Sequence, residues 1–239
     1  MHVLVNGTWP LDFDEEKYKH KKTSFLYWIK ERPSHISAHS AAQYRMYDQI
    51  RQDYGDIDVA VEYFAGVGVD ARHIENLLHP KEHYMFDLDP DCVEHLKAQQ
   101  WKGNVHIELG DAKELMGTIK ADVVACDFAQ FSAIQLKQQW EAHLDRVFAN
   151  KPFAFRQADT ALSMLYPSIK RYSEILDYPI KNHRDYMMAL AEYYRKRWGY
   201  KARVLLYRPQ FAGYMLLYRG DRHETFIEPV PDIEGLSFV

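Results

Sequence analysis

Cysteine is nearly absent. The chain of 239 residues holds only Cys92 and Cys126, too few for a disulfide framework or a zinc ribbon. The expected setting is therefore a reducing, cytoplasmic one. No apolar run approaches the roughly 20 residues of a membrane helix. Met1 to Pro10 lacks the basic stretch followed by an apolar one that marks a signal peptide. Internal repeats and low-complexity segments are missing too. A net charge of only −4, with 17 Tyr, 12 Phe and 5 Trp, excludes a disordered chain. The length is enough to bury a full core and fits one large domain, or one domain with an arm.

Charge is present but uneven. Residues 51–150 carry net −9, whereas residues 151–220 carry net +8. The tail 221–239 returns to net −4. An acidic middle joined to a basic segment suggests a face that meets a polyanion, although a solvated basic helix gives the same pattern.

The first fifty-five residues read as an N-terminal helical arm or cap, with a helix over Ser37–Tyr54 that ends at Gly55. From Asp58 the pattern becomes regular. Short apolar runs at 59–64, 83–88, 105–109, 121–126 and 153–156 read as strands, and amphipathic segments lie between them. Asp89-Pro90 starts a helix and Gly103 is expected to stop it. Leu115, Met116 and Ile119 mark a short helix, and Trp140 to Phe148 a longer one. Asn182 caps a helix that ends at Gly199. Strands alternating with helices imply a parallel sheet, because parallel neighbours need crossover connections. The last two strands, 202–207 and 214–218, are separated by six residues. Six residues hold no crossover helix, so these strands form an antiparallel hairpin.

Gly66-Val67-Gly68-Val69-Asp70-Ala71 fits the G-x-G-x-x-G/A pattern, directly after one strand and before a helix. Asp87 follows Gly68 by 19 residues, at the end of the second strand, where an acid accepts hydrogen bonds from ribose hydroxyls. Two ligand classes share this geometry. A dinucleotide sets its pyrophosphate on the helix N-terminus. S-adenosylmethionine carries a sulfonium cation and no phosphate. Glu62, four residues before Gly66, favours the cationic ligand. A nicotinamide-dependent dehydrogenase stays open on the glycines and Asp87 alone.

Four segments together resemble the class I S-adenosylmethionine-dependent methyltransferases. Glu62-Tyr63-Phe64-Ala65-Gly66-Val67-Gly68 is similar to their first motif. Phe86-Asp87-Leu88-Asp89-Pro90 resembles the second, whose first acid binds the ribose. Leu109-Gly110-Asp111-Ala112 resembles the third, where the Asp contacts the adenine amino group and the next backbone N–H faces the ring. Asp122 to Phe128 resembles the fourth. The likeness implies an α/β fold with a seven-stranded, mostly parallel Rossmann-like sheet and a terminal antiparallel hairpin, over residues 56–220. It implies S-adenosylmethionine held by Glu62, Phe64, Ala65, Gly66, Gly68, Asp87, Leu88, Asp111, Ala112 and Asp127. Asp127 orients the acceptor or takes its proton, and Phe128 stacks on a flat substrate. The fourth motif departs from base-methylating relatives: Asp127-Phe128-Ala129-Gln130 lacks their Pro-Pro step. The acceptor therefore stays open between nucleic acid, met through the basic stretch 151–220, and a small molecule. A scaffold that has lost its chemistry is a third reading.

Weaker signals complete the list. His35 with His39, and His79 with His83, have i, i+4 spacing without a third ligand, so no metal is expected. Lys17, Lys19, His20, Lys21 and Lys22 cluster near the start. Arg195-Lys196-Arg197 ends a helix, where cations suit its dipole or contact phosphate. Tyr166, Tyr172, Tyr178 and Tyr186 line core edges or stack on bases.

Overall fold

The structure is a computed structural model. It describes residues 33–127, 141–160, 166–208, 212–219 and 226–229. The chain forms two compact units, one ending at Glu114 and the other starting at Leu115.

The first unit begins with α1 (Pro33–Tyr54), then β1 (Val59–Tyr63), α2 (Val69–Leu78), β2 (Glu82–Asp87), α3 (Pro90–Ala98), β3 (Asn104–Leu109) and α4 (Ala112–Leu115). Its strands run parallel in the order β3-β2-β1. Tyr63 pairs with Phe86 and Val61 with Tyr84, the parallel pairing expected from the alternation. The core lies between the sheet and its helices. Ala65, Ala71, Met85 and Leu96 form one buried cluster, with Trp101, Val105 and Ile107 packed against it. Helix α1 packs on α2 and buries Met46, Tyr47 and Ile50 completely. Each such side chain contributes about 1.5–3 kcal/mol of burial.

The second unit contains β4 (Val123–Asp127), α5 (Glu141–Ala149), β5 (Ala154–Thr160), α6 (Tyr166–Leu176), α7 (His183–Trp198), β6 (Lys201–Arg208), β7 (Ala212–Tyr218) and β8 (Phe226–Pro229). β4 and β5 are parallel, β7 is antiparallel to both β5 and β6, and β8 runs parallel to β6. The hairpin β6–β7 is the one that the short connection demands. An aromatic cluster of Phe148, Phe155, Tyr194, Trp198 and Tyr200 fills this core. Seven strands match those read from the sequence. The eighth, β8, falls inside the acidic tail, for which no strand was expected.

Several boundaries differ: α1 starts at Pro33 and not Ser37, and β5 runs on to Thr160 and not 156. α3 stops at Ala98, not at Gly103, because Gln99 leaves the helix with extended backbone. Trp101 then turns back and its indole Nε1 donates to the Leu96 carbonyl at 2.9 Å. The short helix over 115–119 is instead α4 (Ala112–Leu115), started by Asp111, whose carboxylate accepts from the Lys113 N–H at 2.9 Å. Helix α6 went unread. Both caps hold: Asp89 accepts from Asp91 N–H, and Asn182 from Asp185 N–H with Gly199 closing α7.

Candidate functional site

The turn after β1 is where the described site is built. Phe64 has φ 61°, a left-handed value that costs a non-glycine residue about 1–3 kcal/mol. Gly66 (φ 55°) and Gly68 (φ 80°) share that region without the penalty. Gly68 also has no room for a side chain. A Cβ there would meet Leu96 Cδ2 at 2.7 Å and the Trp101 ring at 3.1 Å. The left-handed φ and this close packing both favour glycine.

Asp87 closes the turn from the neighbouring strand. Its Oδ2 accepts the Gly66 N–H at 2.7 Å and its Oδ1 the Asp89 N–H at 2.8 Å. Burial pushes its carboxyl above the usual range, while the bonds from Asp89 and Gly66 pull the other way. The Leu88 N–H also bonds to this carboxylate, and one lone-pair direction is left for a hydroxyl donor. Beside it stand two large apolar side chains held in solvent: Leu88 is 66% exposed and Leu109 58%. Leu109 is the register partner of Asp87. Leu88 was a sequence candidate. Leu109 was not, and only its exposure identifies it. Ala65 is buried and donates to Phe86 O at 3.0 Å. Ala112 is buried at the start of α4.

Glu62 is buried in β1, with an oxygen 3.9 Å from His83 Nε2. Burial pushes the His83 imidazole down to about 3, so the ring is neutral at pH 7. Two clamps hold the turn from outside. The Arg72 guanidinium lies 3.9 Å over the Trp101 ring and donates to Gln99, whose amide donates to Val67 O at 3.3 Å. On the α1 side, buried Asp70 accepts from Gln43 at 2.8 Å and Tyr47 at 2.7 Å. Sequence reasoning missed this group, because Asp70 occupies a variable position of the glycine pattern.

Glu62, Phe64, Ala65, Gly66, Gly68, Asp87, Leu88, Asp111 and Ala112 all belong to the first unit. Asp127 is the last residue of β4 in the second, paired in register with Ala158. Phe128 lies outside the described residues, as does the lysine cluster at 17–22.

The weaker candidates occupy these places. Arg195 and Lys196 pair with Glu192, and Arg197 pairs with Asp145 and Glu141. This trio is a locally neutralised helix end. Tyr172 and Tyr186 are buried with ring centroids 5.2 Å apart, so they are core and not stacking platforms. His79 ends α2 and meets Asp56, while His83 sits in β2, so they share no helix face. The side chains of His35 and His39 lie outside the description. Cys92 and Cys126 are buried thiols, and burial pushes Cys92 far up. Among the described residues no group of three metal-ligating side chains occurs, and no helix is long and apolar enough to cross a membrane.

No protein-family profile matches the chain, and no curated protein matches it in sequence. Solved structures match its fold. The plantazolicin methyltransferase BpumL in complex with SAH is 12% identical, with a TM-score of 0.53 over 90% of this chain and 94% of that one. BpumL in complex with a monoazolic desmethylPZN analog and SAH gives 11% and 0.54, over 86% and 92%. Trm1 from Pyrococcus horikoshii in complex with S-adenosyl-L-methionine is 13% identical, with a TM-score of 0.53 over 79% of this chain and 56% of that one. The chain has the class I methyltransferase fold, α/β with a mostly parallel sheet and a C-terminal antiparallel hairpin.

Proposed function

We propose that this protein is an S-adenosylmethionine-dependent methyltransferase. One observation carries the reading. Leu88 and Leu109 stand exposed at the carboxyl ends of adjacent strands, flanking an acid whose oxygens are already aimed by two backbone donors. An apolar slot beside a fixed carboxylate suits an adenine ring joined to a ribose. In this reading Asp87 accepts a ribose hydroxyl, Leu88 and Leu109 cover the ring, and Asp111 meets the adenine amino group. Phe64, Ala65, Gly66 and Gly68 shape the turn beneath the sulfonium end, and Ala112 supplies a backbone N–H. Glu62, a carboxylate buried four residues before Gly66, disfavours a pyrophosphate there and so a dinucleotide.

The cofactor would supply an activated methyl group, so the chain's work is alignment and, where needed, proton removal. Asp127 is kept as the acceptor-orienting residue for its place at a strand's carboxyl end, the edge where open α/β sheets bind ligands. Phe128 is kept beside it in sequence.

For the acceptor, the pairing of Arg195, Lys196 and Arg197, three of the thirteen cations over residues 151–220, and the burial of Tyr172 and Tyr186 weaken two of the arguments for nucleic acid. We take a small molecule as the acceptor. Calorimetry with S-adenosylhomocysteine should detect binding. Binding of nicotinamide dinucleotides in its place would overturn the reading. Incubation with radiolabelled-methyl cofactor and fractionated extract should then label the small-molecule fraction. Cofactor binding without label in any fraction supports a scaffold. RNA and DNA titrations at low and moderate salt test the polymer reading, since phosphate contacts weaken steeply with salt.

A further inference from the structure

His83 is a buried titratable group that none of the proposed cofactor contacts uses. It sits in β2 and is 1% exposed. Its register partners are Ala60 on β1 and Val105 on β3, and neither side chain offers an acceptor. Neither ring nitrogen has a hydrogen-bond partner among the described residues. Yet a neutral imidazole always carries one N–H. Leaving that donor unmet in the interior costs about 1–3 kcal/mol.

Glu62 is the acceptor within reach. It lies two residues beyond Ala60, and side chains two apart share a face of the sheet, so Glu62 and His83 lie on the same side. Glu62 Oε2 stands 3.9 Å from His83 Nε2. A move of about 1 Å by either side chain closes this gap to a hydrogen bond. The residue type matters here. A lysine or arginine in this place would cancel the charge of the carboxylate. A neutral ring fills one of its lone pairs and leaves the charge in place. Burial keeps this ring neutral.

We propose that His83 is a positioning residue for Glu62: its Nε2–H donates to the carboxylate and fixes it, still charged, four residues before Gly66. Strand β2 then serves the site twice, through His83 on Glu62 and through Asp87 itself. The ligand effect rests on the cofactor reading, in which a buried negative charge prefers the sulfonium of S-adenosylmethionine to the neutral thioether of S-adenosylhomocysteine. The His83–Glu62 bond does not rest on it.

The isotope-labelled full chain without ligand gives the first test. Long-range proton–nitrogen correlation spectra should place the His83 ring proton on Nε2 and leave Nδ1 bare, the signal being assigned by its loss in His83→Gln. Glu62→Gln should shift that Nε2–H resonance, since a neutral amide accepts more weakly than a carboxylate. Calorimetry with both ligands gives the second. The preference of wild type for S-adenosylmethionine over S-adenosylhomocysteine should drop several-fold in His83→Leu. His83→Gln, whose amide donates, should restore most of it. A purely structural His83 would weaken both ligands alike. A ring proton on Nδ1, an Nε2–H resonance unmoved by Glu62→Gln, or one ligand ratio in all three proteins would overturn the proposal. Binding of neither ligand would overturn the cofactor reading instead, and the spectra alone would then decide the role of His83.

Discussion

Replacing Asp87 separates its structural work from its proposed ligand work. In Asp87→Ala the Gly66 and Asp89 N–H groups both lose their acceptor, at 2.7 and 2.8 Å. An orphaned buried donor costs about 1–3 kcal/mol, and these partly buried groups belong at the low end. Relief of the buried charge offsets part of this, because burial is the largest influence on the Asp87 carboxyl. The expected loss of stability is about 2 kcal/mol. Asp87→Asn keeps one acceptor and removes the charge, so about 1 kcal/mol is expected. Affinity for S-adenosylhomocysteine behaves differently. Both variants lose a charge-assisted bond to a ribose hydroxyl, about 1.5–3 kcal/mol, or roughly 10- to 100-fold or more in Kd. The asparagine variant is the informative one, being mildly destabilised yet strongly impaired. The pH response has a definite sign. The folded carboxyl binds its proton more tightly than the unfolded one, so its contribution to stability falls as pH rises through the window above the ordinary value of 3.8. Cofactor affinity moves oppositely, falling as acid protonates the carboxylate. Calorimetry and urea unfolding, each at two pH values, read both trends. Wild-type affinity in Asp87→Asn, with no pH dependence in either protein, would show that Asp87 is only a staple for the turn.

Gly68→Ala should destabilise by about 2–4 kcal/mol, from a left-handed φ and a Cβ driven into Leu96 and Trp101, read by thermal unfolding. His83, neutral and held down to about 3, makes the fold acid-sensitive: the stability is whole above pH 6.5 and is lost as pH falls toward 3. Urea unfolding should show wild type losing up to about 1.4 kcal/mol per pH unit in that window, and His83→Leu losing less. Asn182→Ala removes the α7 cap and should cost about 1 kcal/mol with cofactor binding unchanged.

Local chemistry was legible and distant pairing was not. The strands followed from short apolar runs, and the starts of α3 and α7 from Asp89 and Asn182. Helix α3 was read too long because Trp101 sits at helical spacing. What turns it aside is a bond to Leu96 O and the guanidinium of Arg72, 29 positions earlier. Of the α7 cations, Arg195 and Lys196 meet Glu192 on their own helix, whereas Arg197 looked like a phosphate ligand because its carboxylates lie on α5, Asp145 being 52 positions away and invisible to charge counting along the chain. Tyr172 and Tyr186 read equally as surface or core, since a tyrosine's composition does not tell which end is wet. β8 has four residues in an acidic tail, too few for an alternating pattern.

The glycine turn shows why one motif supports two explanations at once. Gly68 answers to Leu96 and Trp101, a purely internal demand. Asp87 answers to Gly66 and Asp89, yet keeps a lone pair for a ligand. Around them the turn is tied on three sides: Asp87 to Gly66 N–H, Gln99 to Val67 O, and α1 through Gln43 and Tyr47 to Asp70. A ligand without a pyrophosphate gains less from the anion field of a helix N-terminus, which its single carboxylate alone can use. Its affinity must come from many weak contacts, and those survive only if the backbone that makes them is already in place. The strain at Phe64 is consistent with this, because a left-handed aromatic residue persists only where its surroundings over-determine it. Loosening any one tie should therefore weaken cofactor binding from a distance. Tyr47→Phe makes the case most cleanly: it deletes one 2.7 Å bond on the far side of α2 and leaves every proposed cofactor contact in place. A several-fold rise in the Kd of S-adenosylhomocysteine is expected by calorimetry, and an unchanged Kd would show that the turn holds its shape without α1.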